Sequence, residues 1–307
     1  MAKHDSNSEG MLSLAWQRFR RHRVALFCAI VLITMATASF SAPLFEIALG
    51  VDSNLVNLYD RFAEPSLQHP LGTDELGRDV FVRLLYGGQV SLMVGLTAAL
   101  AAAIFGTLIG LNAGYFGGRF DAFLMRTTDA VIALPLLPLL IVLAAIDLNK
   151  LGLSAEFTDS ENISLYRIIV IVALFGWTTV ARLVRGRALT VRERDFVLAA
   201  RSQGASSTRI MLVHILPNVV SPIIVATTLS IGHVILLESV LSFFGLGIQP
   251  PMASWGNLLT NAQELIWNAP ALVIYPGLTI FVTVISFNFL GDGLQDALDP
   301  QAMERAE

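Results

Sequence analysis

The residues from Val24 to Phe45 contain no charged side chain. At about 1.5 Å of rise per residue, a helix of that length crosses the roughly 30 Å hydrocarbon core of a bilayer. Further apolar runs follow at Val90 to Leu111, Phe123 to Ile146, Ile168 to Ala181, Val219 to Phe243 and Ala271 to Gly291. The fourth is short, so its helix is expected to begin nearer Ile163, with Arg167 snorkelling toward the interface. Apolar residues make up 54% of the chain and charged ones 14%, and the mean hydropathy is +0.65, far from a soluble domain. The expected fold is an all-α integral membrane protein of about six transmembrane helices, with both termini on one side.

Lysine and arginine set the orientation, because they are retained on the cytoplasmic side. With the N-terminus inside, Lys3, Arg18, Arg20, Arg21, Arg23, Arg119, Arg126, Arg305 and the arginines between 182 and 209 are cytoplasmic, leaving Arg61, Arg78, Arg83, Lys150 and Arg167 outside. Both termini are therefore expected in the cytoplasm. The first run could be read as a secretory signal, with Ala36-Thr37-Ala38 as a cleavage site, but it exceeds the usual apolar length of such signals and reads as a retained anchor. Cys28 is the single cysteine, so no intrachain disulfide can form. The resulting division is a cytoplasmic segment 1–23, a first span 24–45, an outer loop 46–88, a core 89–293 containing a cytoplasmic loop 182–217, and a cytoplasmic tail 294–307.

The outer loop carries seven acids, Glu46, Asp52, Asp60, Glu64, Asp74, Glu75 and Asp79. It reads either as a docking or gating surface, with Asp74, Arg78 and Asp79 as candidates, or as a solvated loop followed by an interfacial helix from Asp79 to Tyr86. His69 beside these carboxylates lacks regular ligand spacing, and no metal site is expected. In the second span Gly106, Gly110 and Gly114 repeat every fourth residue, as in close helix packing. Pro135 and Pro138 interrupt the third run, and the stretch Phe243 to Gly256 cannot continue a helix. Gly245, Gly247, Pro250, Pro251 and Trp255 are candidates there for an outer gate or re-entrant turn.

Between the fourth and fifth runs lies a polar island from Arg182 to Arg209, where seven arginines accompany only Glu193 and Asp195. It cannot sit in hydrocarbon. No phosphate loop Gly-x-x-x-x-Gly-Lys-Ser/Thr exists in the sequence, so the chain is not expected to be an enzyme hydrolysing ATP in that way. An ion-driven carrier would bury carboxylates at mid-membrane; His233 and Glu238 are the candidates for a pathway, and packing explains a single such acid equally well. A structural membrane protein whose island binds a cytosolic partner is a third class.

Leu198-Ala199-Ala200, Gly204 and Leu216-Pro217 are spaced as in the "EAA" signature, and the chain resembles the permease subunits of ATP-binding-cassette importers. Arg192 to Arg201, His214 to Asn218, Gly72 to Asp79, Leu241 to Gly247, Gln249 to Pro251 and Ser254 to Gly256 resemble the dipeptide, oligopeptide and nickel branch in particular. Leu198 stands where the broad signature has glutamate and His214 where it has isoleucine. The resemblance implies a type I importer permease fold in a bacterial inner membrane, with a loop that seats in an ATPase groove. Glu193, Asp195, Ala199, Ala200, Arg201, Gly204, Arg209, His214 and Pro217 are the implied coupling residues. Ala199 and Ala200 allow close approach, Gly204 can take positive φ, and Pro217 is expected to start the next helix. The implied partners are a second homologous permease subunit, two ATPase subunits, an extracytoplasmic substrate-binding protein and membrane lipid, and not nucleic acid. No cofactor is expected in this chain, since ATP and Mg belong to the ATPases. Peptide is the expected cargo, with nickel chelates, opines or glutathione as alternatives.

Overall fold

Helices form every long element of the computed structural model, which describes residues 11–147, 150 and 162–298. The expectations for residues 1–10 and 299–307 lie outside the described residues. In chain order the helices are α1 (Met11–Arg21), α2 (Arg23–Phe40), α3 (Ala42–Leu49), α4 (Val80–Phe116), α5 (Gly118–Ala133) and α6 (Leu136–Ala144). They continue with α7 (Ile163–Val191), α8 (Asp195–Ser202), α9 (Ser207–Phe243), α10 (Ala262–Asn268) and α11 (Ala271–Leu298). Among the described residues no strand forms, and an isolated bridge joins Thr73 to Asp79.

Five helices, α2, α4, α7, α9 and α11, are long and apolar enough to cross a membrane. The third apolar run does not make one straight span: α5 and α6 meet at 81°. Pro135 is the cause, since it disfavours helical backbone in the residue before it, and Leu134 is extended at φ −72°, ψ 137°. The helix expected from Asp79 to Tyr86, leading into the second span, is the first part of α4 and joins that span without a break. Asp79 starts it, its Oδ1 accepting the Val82 amide at 2.7 Å, and the apolar run then carries the helix on for 37 residues. The fourth span begins at Ile163, as its length required, and its helix runs beyond Ala181 to Val191. Arg182, Arg185 and Arg187 are therefore helical.

α4 and α7 pack most closely, for a reason already visible in the glycines. A methyl group at Gly106 would lie 2.5 Å from the Trp177 carbonyl oxygen, and one at Gly110 would lie 2.5 Å from that of Ala181. The small-residue ridge lets two backbones approach where larger side chains could not. Around this pair, Val94, Ala98, Ile168, Val172, Ile235 and Trp255 form one buried cluster, and Leu111, Val180, Val184, Val197, Ile210 and Ile215 form another. The outward faces are apolar, with Phe27, Ile104, Val170 and Phe281 all exposed, as suits a lipid solvent. One end of the bundle carries the polar island and the close approach of α2 to the last turns of α11. The opposite, far end carries residues 46–79 and the segment 244–261.

Candidate coupling loop and buried carboxylate

At the island end, charge is first used to hold the frame. Arg185 on α7 makes a two-pronged pair with Asp121 of α5, at 2.5 and 2.6 Å, and Arg182 pairs with Asp129 of the same helix. Arg192 donates to the carbonyls of Gly114 and Tyr115 at 3.0 and 3.3 Å, groups that the end of α4 leaves without helical partners. Glu193 and Asp195 are thus not the only acids available to the island arginines, because α5 supplies two more from far away in sequence. Arg187, Arg194 and Arg209 are exposed.

α8 projects from this frame. Its single buried side chain, Val197, anchors it, while Phe196 is 46% and Leu198 43% exposed. Asp195 and Ala199 are exposed, Ala200 is half-buried, and Glu193 is exposed in an ion pair with Arg192 at 2.9 Å. The Arg201 guanidinium lies 6.0 Å from the centre of the Tyr115 ring. Tyr115, Phe116, Arg192, Val197, Leu198 and Arg201 line a cleft of about 240 Å³. Gly204 has φ +81°, the left-handed conformation that a side chain disfavours, and it turns the chain from α8 into α9. Ser206 caps α9, its hydroxyl accepting the Arg209 amide at 3.4 Å.

Pro217 opens the regular α-helical stretch Leu216–Phe243, as expected, but not α9 as a whole. α9 is already helical from Ser207 and passes through a π turn at Ile210–Ile215 just before Pro217. Proline lacks an N–H and clashes with the carbonyl four residues earlier in an α-helix; a wider turn there accommodates both faults. His214 sits half-buried in the π turn, its ring centre 6.5 Å from that of Phe196.

At the far end, Asp74 accepts the amides of Leu76 and Arg78 at 2.8 and 3.0 Å and pairs with the Arg78 guanidinium at 2.7 Å. Asp79 caps α4 with one oxygen and meets His69 Nδ1 at 2.9 Å with the other. These three candidates secure the outer segment to the start of α4. Glu238 is 0% exposed. Its Oε1 accepts the hydroxyls of Ser242 and Ser254 at 2.7 and 2.8 Å, and Oε2 accepts that of Ser91 at 3.4 Å. Trp255 is tied to the same place: its amide donates to Ser91 Oγ at 3.1 Å and its indole to the Leu84 carbonyl at 2.9 Å. Gly247 packs on Ser242, Gly245 has φ +74°, and Pro250 and Pro251 are exposed on the loop's outer side. His233 is exposed on another face of α9 and does not join Glu238. The serines around Glu238 escaped sequence reasoning; Ser242, four residues on, was the one local signal. Among the described residues no group of His, Cys, Asp or Glu is arranged to hold a metal.

A bundle of long apolar helices with a short charged helix–glycine–helix projection at one end defines a multi-pass membrane protein. The chain belongs to the family of binding-protein-dependent transport system inner membrane components, which matches residues 106–303. Residues 10–56 match the N-terminal TM domain of oligopeptide transport permease C. It is 39% identical to the dipeptide transport system permease protein DppC of Alkalihalophilus pseudofirmus, over 94% of this chain and 89% of that one. It is 41% identical to the glutathione transport system permease protein GsiD of Escherichia coli, over 93% of this chain and 89% of that one. A solved amino acid ABC transporter crystallised with histidines aligns with TM-score 0.47 at 16% identity, covering 73% of this chain and 94% of that one. The protein is a multi-pass inner-membrane permease subunit of an ATP-binding-cassette importer.

Proposed function

We propose that the chain forms half of a translocation pathway for dipeptides and short oligopeptides, opposite a second, homologous permease. The island end faces the cytoplasm, in keeping with its arginines, and both termini lie there. Two ATPase subunits supply the energy, one of them gripping α8, and an extracytoplasmic binding protein delivers the cargo to the far end. The observation that carries this reading is α8 itself. Phe196 and Leu198 stand exposed beside Asp195 and Ala199 on a helix that Gly204 turns away from the bundle. An isolated chain has no reason to leave those apolar side chains in water, and a protein groove would bury them. Arg201 and Arg209 then reach acidic groups of the ATPase, and His214 and Pro217 sit at the joint between α8 and the pathway helix. A glutathione-carrying system is the second reading, favoured by the GsiD relatives; both are peptides with free ends.

The test is uptake of labelled dipeptide into proteoliposomes holding the copurified complex and its binding protein. Uptake should require hydrolysable ATP. Gly204→Val places a branched side chain at φ +81°, and should lower ATPase copurification and uptake by about five- to thirtyfold, as one to two kcal/mol of backbone strain at the joint predicts. Full uptake in that variant, or uptake without ATP, would overturn the reading.

A further inference from the structure

Two arginines three residues apart on α7 meet acids of α5 in different surroundings. Asp121 is buried beneath Arg185, whereas the side chains of Arg182 and Asp129 are 49% and 59% exposed although paired. A pair so exposed contributes about 0–1 kcal/mol, so holding the frame does not account for it. Its depth sharpens the question. On α5, Phe123 is exposed six residues nearer the island than Asp129, a distance of about 9 Å along the helix. On α4, whose Gly110 lies against Ala181, Phe105 and Leu108 are exposed close to the level of the pair. These side chains place hydrocarbon at that level, where a charge turned toward lipid is costly.

The faces that carry the pair differ from the faces that suit lipid. On α5, Ala122, Arg126, Asp129 and Ala133 are all exposed, and their spacing of four, three and four aligns them in one stripe. Thr179, Arg182, Gly186 and Thr190 form the matching exposed stripe of α7. It lies on the side away from α4, whose glycines meet Ala181 and Ala188. Small and polar groups thus stand where Phe, Leu and Ile would meet acyl chains. Charges at membrane depth face a water-filled path or other protein.

We infer that these stripes of α5 and α7 line the pathway on its island side, and that Asp129 and Arg182 receive the two ends of a passing peptide, its ammonium and its carboxylate respectively. A zwitterion brings one charge of each sign, so it can open the pair and complete both partners at once, replacing one ion pair with two. A neutral solute or a lone cation cannot make that exchange. The inference deepens the peptide-import reading and rests on it.

The experiment uses the assembled complex in proteoliposomes. Thr179→Cys and Ala133→Cys test the wall, because a charged methanethiosulfonate modifies thiols in water and not in lipid; Cys28 is buried, so the native chain supplies the blank. Without nucleotide both should react at least about tenfold faster than Val170→Cys on the apolar face, given the cost of charge in hydrocarbon. Equal rates overturn the inference. Protection of both thiols in every nucleotide state overturns it as well, by assigning the face to contact with the second permease. Arg182→Gln should lower the maximal rate of alanyl-alanine uptake about tenfold through loss of a charged hydrogen bond. The half-saturating peptide concentration, set by the binding protein, should stay the same, while the ATP hydrolysed per peptide imported should rise. Arg182→Lys keeps the charge and should recover most of the rate; Asp129→Asn replaces Arg182→Gln should that variant fail to assemble. Unchanged uptake in the assembled variant overturns the assignment of the pair, as does an equal fall in uptake and hydrolysis with no recovery by lysine, which would make the pair structural. Reactive thiols in a complex that imports no peptide would sink the import reading and leave the wall standing, and uptake with both thiols unreactive would do the reverse.

Discussion

Glu238 and α8 sit at opposite ends of α9's course, and the chain finishes one and leaves the other open. The carboxylate is 0% exposed, with hydroxyls from three serines directed at it. α8 has one buried side chain and presents Phe196 and Leu198, 46% and 43% exposed. Burying such a side chain contributes about 1.5–3 kcal/mol, stabilisation that Glu238's surroundings have within this chain and α8's exposed apolar side chains do not. Polar groups that are completed inside the subunit mark architecture; apolar groups left outside on a charged projection mark assembly.

Replacing Glu238 with alanine should give the largest effect, leaving the hydroxyls of Ser242 and Ser254 without their acceptor and a void in the core. A loss of about 3 kcal/mol is expected, read as a lower melting temperature in detergent and increased quenching of Trp255. A variant as stable as the native chain would break the contrast. Arg185→Gln comes next. It leaves Asp121, 8% exposed, without its two-pronged partner, and should cost about 2 kcal/mol, placing the island frame with the far end and separating it from α8. Phe196→Ala should change the melting temperature of the isolated subunit least, by the equivalent of under about 0.5 kcal/mol, yet reduce ATPase copurification. A large stability loss there would mean that α8 belongs to the core.

Much of this frame was legible in the amino-acid sequence, and the rest failed for nameable reasons. Uncharged runs marked the spans because hydrocarbon tolerates little else, and glycines at 106, 110 and 114 announced a close helix contact because their spacing equals about one helical turn, though not that α7 would be the partner. Gly204 marked the turn after α8 through backbone sterics alone. The break before Pro135 was half visible: proline told where, and packing decided that α5 and α6 would meet at 81°. Nothing near Asp121 says that Arg185, 64 residues on, will pair with it. Ser91, 147 residues from Glu238, was equally silent. The π turn before Pro217 was hidden because local rules place proline at a helix start as readily as after a widened turn.

That turn gives α9 the mechanics of an oar. Its irregularities, the π turn, Pro217 and Pro222, all fall near the island end, and the run from Ile223 to Phe243 beyond them is roughly 30 Å of uninterrupted shaft. A tilt of about two degrees at such a rowlock sweeps the blade by about 1 Å over that length. Because the blade is lashed to α4 through Ser91 and Trp255, so small a stroke must either carry the whole outer knot along or slip its longest strand, the 3.4 Å bond from Ser91 to Glu238.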